Sequence, residues 1–163
     1  MESRLERDDP PAEPLRFVAD AMLGRLATWL RILGYDVEYS RGEDAALIER
    51  ARASGRILLT RDTGIVRRRN APPNLFVRSD HVSEQLRQVV QAFRLAPADP
   101  SRRRCPRCNV VVEARTKAEV FGRVPEFVWS RQDAFWGCPA CGRLYWAGTH
   151  RRGMDAMIRA AIT

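Results

Sequence analysis

The sequence predicts an α/β protein in which a mainly parallel sheet is covered by helices and a small module follows at the C-terminus. Between residues 15 and 94, short apolar runs alternate with stretches of helical periodicity, a pattern typical of strand–helix–strand units. After residue 104 this alternation ends, and the chain continues in short strand-like segments with aromatic residues and tight turns. Two Cys-x-x-Cys pairs occur in this second part, which indicates a separate module built around them.

Composition sets the domain boundaries that we expect. The 163 residues, 45% of them hydrophobic, suit one compact domain with a small appendage. The N-terminus carries three prolines and many charges, which favours a disordered tail over 1–14. The main domain is then expected at 15–98, a proline- and arginine-rich linker at 99–104, and the module at 105–163.

The first half of the main domain is predicted to alternate two strands with two amphipathic helices. An apolar run forms the first strand and Asp-Val-Glu-Tyr the second, while apolar residues recur at helical spacing in both helices, as at Leu26 and Leu30. Gly34 and Gly55 follow the helices, where glycine is the common left-handed cap. In chain order, these elements are predicted at 15–19, 21–33, 36–39 and 45–54.

The second half of the main domain repeats this alternation. A short arginine-rich helix follows the third strand. The last helix is predicted to turn four apolar side chains inward: Leu86, Val89, Val90 and Phe93. In chain order, these elements are predicted at 56–60, 63–69, 75–77 and 82–94. A further small helix is expected from Arg151 onward, with three apolar side chains facing inward: Met154, Met157 and Ile158.

Aspartates occupy the boundaries where predicted strands pass into helices. Asp20 and Asp62 each end an apolar run, Asp80 follows the fourth strand, and Asp44 opens the second helix. Aspartate is a preferred helix N-cap, which explains any one of them taken alone. Together they are more informative, because the carboxyl ends of parallel strands share one edge of a sheet. Clustered carboxylates need a compensating cation, and hard oxygen ligands suit Mg²⁺ or Mn²⁺.

A carboxylate site of this kind predicts metal-assisted hydrolysis of a phosphodiester, in which water is activated and the leaving oxygen is stabilised. Other reaction classes lack their motifs in this chain. It has no glycine-rich phosphate loop of the Walker type and no Gly-x-Ser-x-Gly elbow. With only two histidines, His81 and His150, a Ser-His-Asp site is a poor fit.

Four segments of the chain carry a resemblance to a known family. The longest is Phe17-Val-Ala-Asp-Ala-Met-Leu-Gly-Arg-Leu-Ala-Thr-Trp-Leu-Arg-Ile-Leu-Gly-Tyr-Asp-Val37, and the others lie at 44–62, 77–80 and 145–150. Together they resemble the Mut-seven C-terminal RNase family over residues 15–150. This resemblance implies a PIN-like α/β/α sandwich followed by a zinc ribbon, with the activity of a metal-dependent ribonuclease.

The same resemblance assigns roles to the acidic residues. It makes Asp20, Asp44, Asp62 and Asp80 the expected ligands of a catalytic Mg²⁺ or Mn²⁺, and RNA the expected substrate. Glu43, next to Asp44, is the alternative to Asp80 as the fourth ligand. Two rival functions stay open: a non-catalytic RNA-binding or adaptor protein that keeps the fold, and a small-phosphate enzyme on a flavodoxin-like sheet.

The four cysteines predict a zinc site. Cys105, Cys108, Cys138 and Cys141 form two Cys-x-x-Cys turns, and two such turns can place four thiolates around one tetrahedral Zn²⁺. Disulfides are the alternative, but bonds inside each turn would not join the two halves of the module. Four cysteines close the coordination sphere, so we expect one structural zinc per chain. We also expect the aromatic residues nearby to form the module's small core rather than to stack on bases: Trp129, Phe135, Trp136, Tyr145 and Trp146.

The charge of the chain indicates a polyanionic partner. Lysine and arginine number 28 against 20 aspartates and glutamates, a formal net charge of +8, and Lys117 is the one lysine. Arginine pairs bidentately with phosphate and stacks on bases, which favours nucleic acid; an arginine bias without function is the alternative. Six residues are expected to contact RNA: Arg25, Arg61, Arg102, Arg103, Arg104 and His150. For Arg25 and Arg61 the alternative is a solvated helix or loop position, and for His150 it is a structural role.

Nothing in the sequence predicts a membrane protein. No window approaches the roughly 18–20 apolar residues that are needed to span a bilayer, and the polar, acidic N-terminus lacks the features of a secretory signal. No basic amphipathic helix with an aromatic apolar face stands out. We therefore expect a cytoplasmic protein without a membrane partner.

Overall fold

A parallel four-stranded sheet forms the centre of the main domain in the computed structural model, which describes residues 14–96, 100–148, 156 and 159–161. The strands are β1 (Arg16–Ala19), β2 (Asp36–Tyr39), β3 (Ile57–Thr60) and β4 (Asn74–Phe76). Their order is β2-β1-β3-β4, and every neighbouring pair runs parallel. The predicted α/β class with a mainly parallel sheet is confirmed.

Four helices connect the strands: α1 (Gly24–Ile32), α2 (Asp44–Ser54), α3 (Thr63–Val66) and α4 (Val82–Phe93). The helix predicted at 21–33 is two elements, since Ala21–Leu23 forms a 3-10 turn before α1 begins. Gly55 adopts φ 63° after α2, as expected of a left-handed cap. The helix predicted at 63–69 is shorter than expected, because α3 ends at Val66 and the arginines at 67–69 lie outside it.

Side chains of β1 and β3 alternate between two apolar layers, as the pleat of a strand requires. Phe17 and Leu59 belong to a buried cluster that α1 and α4 complete on one face of the sheet. Val18 and Leu58 belong to a second cluster that α2 and α3 complete on the other face. Helices therefore cover both faces, in the expected α/β/α arrangement. Within the described residues, none of the helices has the length and apolar character needed to cross a membrane.

The strand order places a crevice at the carboxyl edge of the sheet. β1 and β3 are neighbours, but β2 lies outside β1 on one side and β4 lies outside β3 on the other. Where the strand order reverses in this way, the connections diverge, and ligands bind in the crevice between them. Asp20 directly follows β1 and Asp62 follows shortly after β3, so both residues lie at this switch point.

The C-terminal module contains an antiparallel sheet of three strands in the order β5 (Glu113–Arg115), β6 (Phe135–Gly137) and β7 (Leu144–Trp146). Two short helices, α5 (Lys117–Val120) and α6 (Glu126–Arg131), separate β5 from β6. The expectation of strand-like segments alone is therefore wrong for this stretch. Thr116 and Glu119 form a capping box at α5, and the Thr-x-x-Glu pattern is the sequence signal that predicts it.

Aromatic residues form much of the core of this module, as predicted. Phe135 is buried, and the partly buried Trp129 and Trp146 pack against its cluster. Trp136 and Tyr145 pack against the buried cysteines. Val120 and Val128 complete the cluster around Phe135.

The C-terminal helix expected from residue 151 falls mostly outside the described residues. Residues 156 and 159–161 are helical, and Ala161 is buried in the cluster that α1 and α4 complete in the main domain. The predicted tail, apart from Pro14, is also outside the described part of the chain. So are four residues with predicted roles: His150, Met154, Met157 and Ile158.

Candidate active site and zinc site

Asp20 is held in one orientation at the end of β1 by hydrogen bonds to both of its carboxylate oxygens. Oδ1 accepts from the backbone N–H of Met22 at 2.9 Å, which caps the 3-10 turn. Oδ2 accepts from Thr60 Oγ1 at 2.6 Å and from the backbone N–H of Arg61 at 2.9 Å. Asp20 is only 6% exposed. A carboxylate has about four acceptor positions, so Oδ1 retains one for a further ligand.

Thr60, the last residue of β3, links the two strand-end aspartates. Its hydroxyl donates to Asp20 and accepts from the backbone N–H of Asp62 at 3.0 Å. Asp62 in turn caps α3, because its Oδ1 accepts from the N–H of Gly64 at 2.7 Å, and its side chain is exposed. The sequence analysis did not identify Thr60, since a threonine at the end of a strand is common and carries no signal of its own.

The other predicted carboxylates are more exposed than Asp20. Asp44 lies in the first turn of α2, where Arg68 Nη2 is 3.3 Å from its Oδ2. The side chain of Asp80 is 80% exposed, and its Oδ1 is 3.6 Å from His81 Nε2. Glu43 is exposed at the N-cap position of α2. Among these acidic residues, only Asp20 and Asp62 use their side chains as helix caps.

The acidic residues do not converge as closely as the cysteines do. Across residues 14–96 and 100–148, the four cysteines are the group of potential ligands whose donor atoms all lie within 4.8 Å of one another, and no three carboxylates form such a group. Asp20 and Asp62 are linked through Thr60, while Asp44 lies on α2 and Asp80 in the loop after β4. Mg²⁺ usually keeps several waters and is held by one or two carboxylates together with substrate phosphate. Hard oxygen donors in this open arrangement fit such an ion.

Two of the predicted RNA-binding arginines are near the strand-end aspartates in the sequence, since Arg25 follows Asp20 by one helical turn and Arg61 directly precedes Asp62. Arg25 is exposed near the start of α1. Arg61 Nη1 donates to the backbone carbonyls of Val77 and Arg78, at 3.3 Å and 2.8 Å. Arg61 therefore ties the end of β3 to the loop that carries Asp80, whereas Arg25 presents its side chain to solvent.

The three arginines predicted to form a phosphate track differ in their contacts. Arg102 is exposed. Arg103 places its guanidinium over the ring of Trp136, 5.2 Å from the ring centroid. Arg104 Nη1 donates to the carbonyl of Asn109 at 2.6 Å. Arg103 and Arg104 thus help to hold the module together.

The four cysteines form a cluster with the geometry of a tetrahedral zinc site. The distance between Cys105 Sγ and Cys141 Sγ is 3.8 Å. Four sulfurs that lie about 2.3 Å from one Zn²⁺ are separated from each other by about 3.8 Å, so the cluster fits this ion. All four cysteines are free thiols, contrary to the disulfide alternative.

The two Cys-x-x-Cys turns share one backbone geometry. In each, the residue after the second cysteine has a positive φ, 62° at Asn109 and 72° at Gly142. Its N–H donates to the carbonyl of the first cysteine of the turn, at 2.9 Å in both cases. Glycine and asparagine are the residues that adopt this left-handed conformation most readily. The first turn differs in having a side chain at this position.

Hydrogen bonds prepare Cys105 to act as a thiolate ligand. Burial raises the pKa of its thiol, but bonds from the Tyr145 hydroxyl and from the backbone N–H groups of Cys108 and Arg107 outweigh burial and lower the pKa to about 6. The Tyr145 oxygen is 3.0 Å from Cys105 Sγ. The pKa of Cys108 is raised to about 12, first by its hydrogen bond with Cys141. The four cysteines would hold a divalent cation as thiolates, and its charge would compensate their mutual repulsion.

A polar network, here called the joint, connects the first cysteine turn to the edge strand β2. Asn109 Oδ1 accepts from the backbone N–H of Val37 at 3.0 Å, and Arg31 Nε donates to the Val37 carbonyl at 2.9 Å. Arg31 Nη1 also donates to the carbonyl of Pro106 at 2.7 Å, and Asn109 Nδ2 donates to Asp36 Oδ1 at 2.6 Å. The joint covers the edge of the sheet, which otherwise presents unpaired backbone groups.

Asp36 has a second partner inside the main domain. The guanidinium of Arg56, which is 8% exposed, donates to both Asp36 oxygens at 2.8 Å and 3.1 Å. Burial raises the pKa of Asp36, but the hydrogen bonds from Arg56 and Asn109 outweigh it, so that the pKa lies below its usual value. The carboxylate therefore stays ionised between two donors that come from different parts of the chain.

The family model of the Mut7-C RNAse domain matches residues 15–158. The chain belongs to the Mut7-C RNase family. No curated protein and no solved structure matches the chain. The resemblance found in the sequence is confirmed, and the match spans both the sheet with its strand-end aspartates and the module with its cysteine cluster. Membership in the Mut7-C RNase family indicates a nuclease-type function with RNA as the substrate class.

Proposed function

We propose that this Mut7-C RNase protein is a divalent-metal-dependent ribonuclease that hydrolyses RNA phosphodiester bonds at the carboxyl edge of its parallel sheet. The observation that carries the proposal is the link between Asp20 and Asp62 through Thr60 at the switch point of the sheet. In the proposal, Asp44 and Asp80 complete the acidic set, with Glu43 as the alternative to Asp80. Membership in a family of RNase domains supports this chemistry.

The proposed cofactor of this edge is Mg²⁺ or Mn²⁺. The remaining acceptor position of Asp20 and the exposed carboxylate of Asp62 suit a hard cation. When bound, such an ion neutralises the carboxylates and makes water a stronger nucleophile. Thr60 and the N–H of Arg61 fix the Asp20 carboxylate, because rotation would break both bonds to Oδ2. A ligand fixed in advance needs no reorganisation during the reaction. Arg25 supplies positive charge for the cleaved phosphate.

The module completes the proposal as a zinc ribbon that helps to hold RNA. The main domain would span 15–98, the linker 99–104, and the ribbon, with one structural zinc, 105–163. Arg102, which is exposed at the start of this part of the chain, is the best placed of the three linker arginines to contact phosphate. The four free thiols are typical of a reducing compartment, which supports a cytoplasmic location.

The test is cleavage of mixed single-stranded and structured RNA with Mn²⁺, with wild type compared to Asp20→Asn and Asp62→Asn. Asp62→Asn is the cleaner variant, because asparagine caps a helix as well as aspartate does. In Asp20→Asn, the side-chain NH2 group would face the Thr60 hydroxyl and the Arg61 N–H, both of which donate to Oδ2 in the wild-type protein. We expect Asp62→Asn to lower kcat by on the order of 100-fold. Asp133→Asn, whose parent side chain is 97% exposed on the module, should cleave normally. Metal-loaded wild type that cleaves nothing, or normal cleavage by both site variants, would refute the proposal.

One observation favours the alternative, a non-catalytic RNA-binding protein. Asp20 and Asp62 both serve as helix caps, and no three carboxylates of the described residues lie at ligand distance from one another. This alternative predicts that the wild-type protein binds RNA and leaves it intact with every divalent metal. The cleavage assay therefore decides between the two functions.

A further inference from the structure

The surface beside Asp20 combines an exposed apolar side chain with an exposed guanidinium group. Met22 is 68% exposed, although its backbone N–H bonds Asp20 Oδ1 at 2.9 Å. Arg41 is exposed in the loop between β2 and α2, and it has no ion pair among the residues that the structure describes. Apolar surface next to a guanidinium group is the chemistry that recognises a nucleotide, since the base packs on the former and phosphate pairs with the latter.

Tyr39 brings this loop to the edge where Asp20 lies. It is the last residue of β2 and the register partner of Ala19, which directly precedes Asp20. Its hydroxyl donates to the carbonyl of Ala21 at 2.8 Å, and the backbone N–H that follows Tyr39 donates to the carbonyl of Ala19 at 3.0 Å. The loop that carries Arg41 therefore leaves the sheet beside Asp20.

The ring of Tyr39 also gives Arg41 a defined position. Gly24 allows this ring to lie against the start of α1, because a Cβ at position 24 would be 3.3 Å from Tyr39 Cζ. The ring is thus held by its hydroxyl bond and by the close approach of α1. The guanidinium of Arg41 lies over it, 5.7 Å from the ring centroid, within the range of a cation–π contact.

We propose that Met22 and Arg41 form a subsite for a nucleotide of single-stranded RNA next to the cleaved phosphodiester. Met22 packs against the base, Arg41 pairs with the flanking phosphate, and Tyr39 positions Arg41. The subsite rests on the proposed ribonuclease function and assigns it an unpaired substrate. A base inside a duplex is stacked on both sides and cannot pack against Met22.

The test uses binding of a short fluorescein-labelled single-stranded RNA to zinc-loaded Asp62→Asn protein, in which cleavage does not interfere. Affinity is measured by anisotropy at several salt concentrations. Each phosphate contact contributes about 0.7 to the slope of log affinity against log salt for single strands. Adding Arg41→Ala should therefore reduce the slope by about 0.7, whereas Arg41→Lys should restore it. Arg52→Ala is the matched control, since Arg52 is exposed at the far end of α2, and it should leave the slope unchanged.

Met22 has its own signature in the same assay. Met22→Ser should weaken binding about five-fold, through lost apolar contact, without changing the salt slope. Met22→Leu should keep the affinity for single-stranded RNA. Duplex RNA should bind the Met22→Ser protein and the Asp62→Asn parent protein with equal affinity. Equal affinities and slopes for the Arg41→Ala, Met22→Ser and Arg52→Ala proteins would overturn the subsite. That result would not affect the proposed ribonuclease function, which is tested separately by cleavage of RNA by the wild-type protein. A parent protein that binds no RNA also overturns the subsite, and the ribonuclease proposal falls with it only if wild type fails to cleave.

Discussion

Replacing Thr60 with valine should weaken both the fold and the proposed active site. The Thr60 side chain is fully buried, and its hydroxyl donates to Asp20 Oδ2 at 2.6 Å and accepts from the N–H of Asp62 at 3.0 Å. Valine has nearly the same shape, so the loss is confined to these two hydrogen bonds. A hydrogen bond to a charged group contributes about 1.5–3 kcal/mol and a neutral one about 0.5–1.5 kcal/mol. The free energy of unfolding should therefore fall by about 2–4 kcal/mol.

Two separate measurements test this prediction. The free energy of unfolding is measured by urea unfolding of the zinc-loaded protein, and RNA cleavage is measured on native protein with Mn²⁺. Thr60→Ser is the matched control, because it keeps the hydroxyl and loses one methyl group, at a cost of about 0.8 kcal/mol. Cleavage by Thr60→Val should fall by about 10–100-fold, the usual effect of removing a group that orients a metal ligand. Thr60→Ser should cleave nearly as well as wild type. The reasoning is refuted if Thr60→Val matches wild type in both measurements.

Three further outcomes are expected at the zinc site and the joint. Chelation of zinc should unfold residues 105–148 before the main domain, because metal binding stabilises such a module. Limited proteolysis would detect this order of unfolding. Fresh protein should contain one zinc per chain, as measured by mass spectrometry. Asn109→Gly keeps the left-handed backbone at φ 62° but removes the side-chain bonds to Val37 and Asp36, so it should lower the free energy of unfolding by about 2 kcal/mol. Asn70→Gly, in an exposed loop, should lower it by less than about 1 kcal/mol. The lowered pKa of Asp36 means that this carboxylate contributes stability above its usual pKa and loses it as pH falls through the lowered value. Below about pH 4, the free energy of unfolding should therefore fall less steeply with pH for Asp36→Asn than for wild type. An equal pH dependence of the two proteins would argue against the pairing of Asp36 with Arg56 and Asn109.

The arrangement of the main domain is predictable because its signals are local. Leu58 and Leu59 of β3 are fully buried on opposite faces of the sheet, so this strand appears in the sequence as an uninterrupted apolar run. α4 repeats its apolar residues at helical spacing, and Leu86 and Val89 are fully buried as expected. The cysteine turns are equally local, since each needs only four residues. These features fixed the fold class and the four-cysteine cluster without any long-range information.

The parts that escaped prediction depend on contacts between distant residues. The Asn109 side chain pairs with Val37 across 72 positions of sequence, and nothing near either residue indicates the other. Thr60 likewise becomes informative only when β1 and β3 are adjacent and Asp20 lies within reach of its hydroxyl. The helix predicted from residue 21 begins as a 3-10 turn, because the Asp20 carboxylate takes the N–H of Met22. Side-chain hydrogen bonds of this kind redirect the backbone where periodicity alone predicts regular structure.

Manganese titration of RNA cleavage tests most directly the central claim, that Asp20 and Asp62 hold a catalytic divalent ion. Wild-type cleavage should rise with free Mn²⁺ and saturate, and it should stop when Mn²⁺ is withdrawn while zinc is retained. Asp62→Asn, which keeps the cap of α3, should need at least about 10-fold more Mn²⁺ or show no cleavage, with unchanged zinc content. An identical Mn²⁺ dependence in the two proteins, or wild-type cleavage that persists without Mn²⁺ or Mg²⁺, would contradict the account.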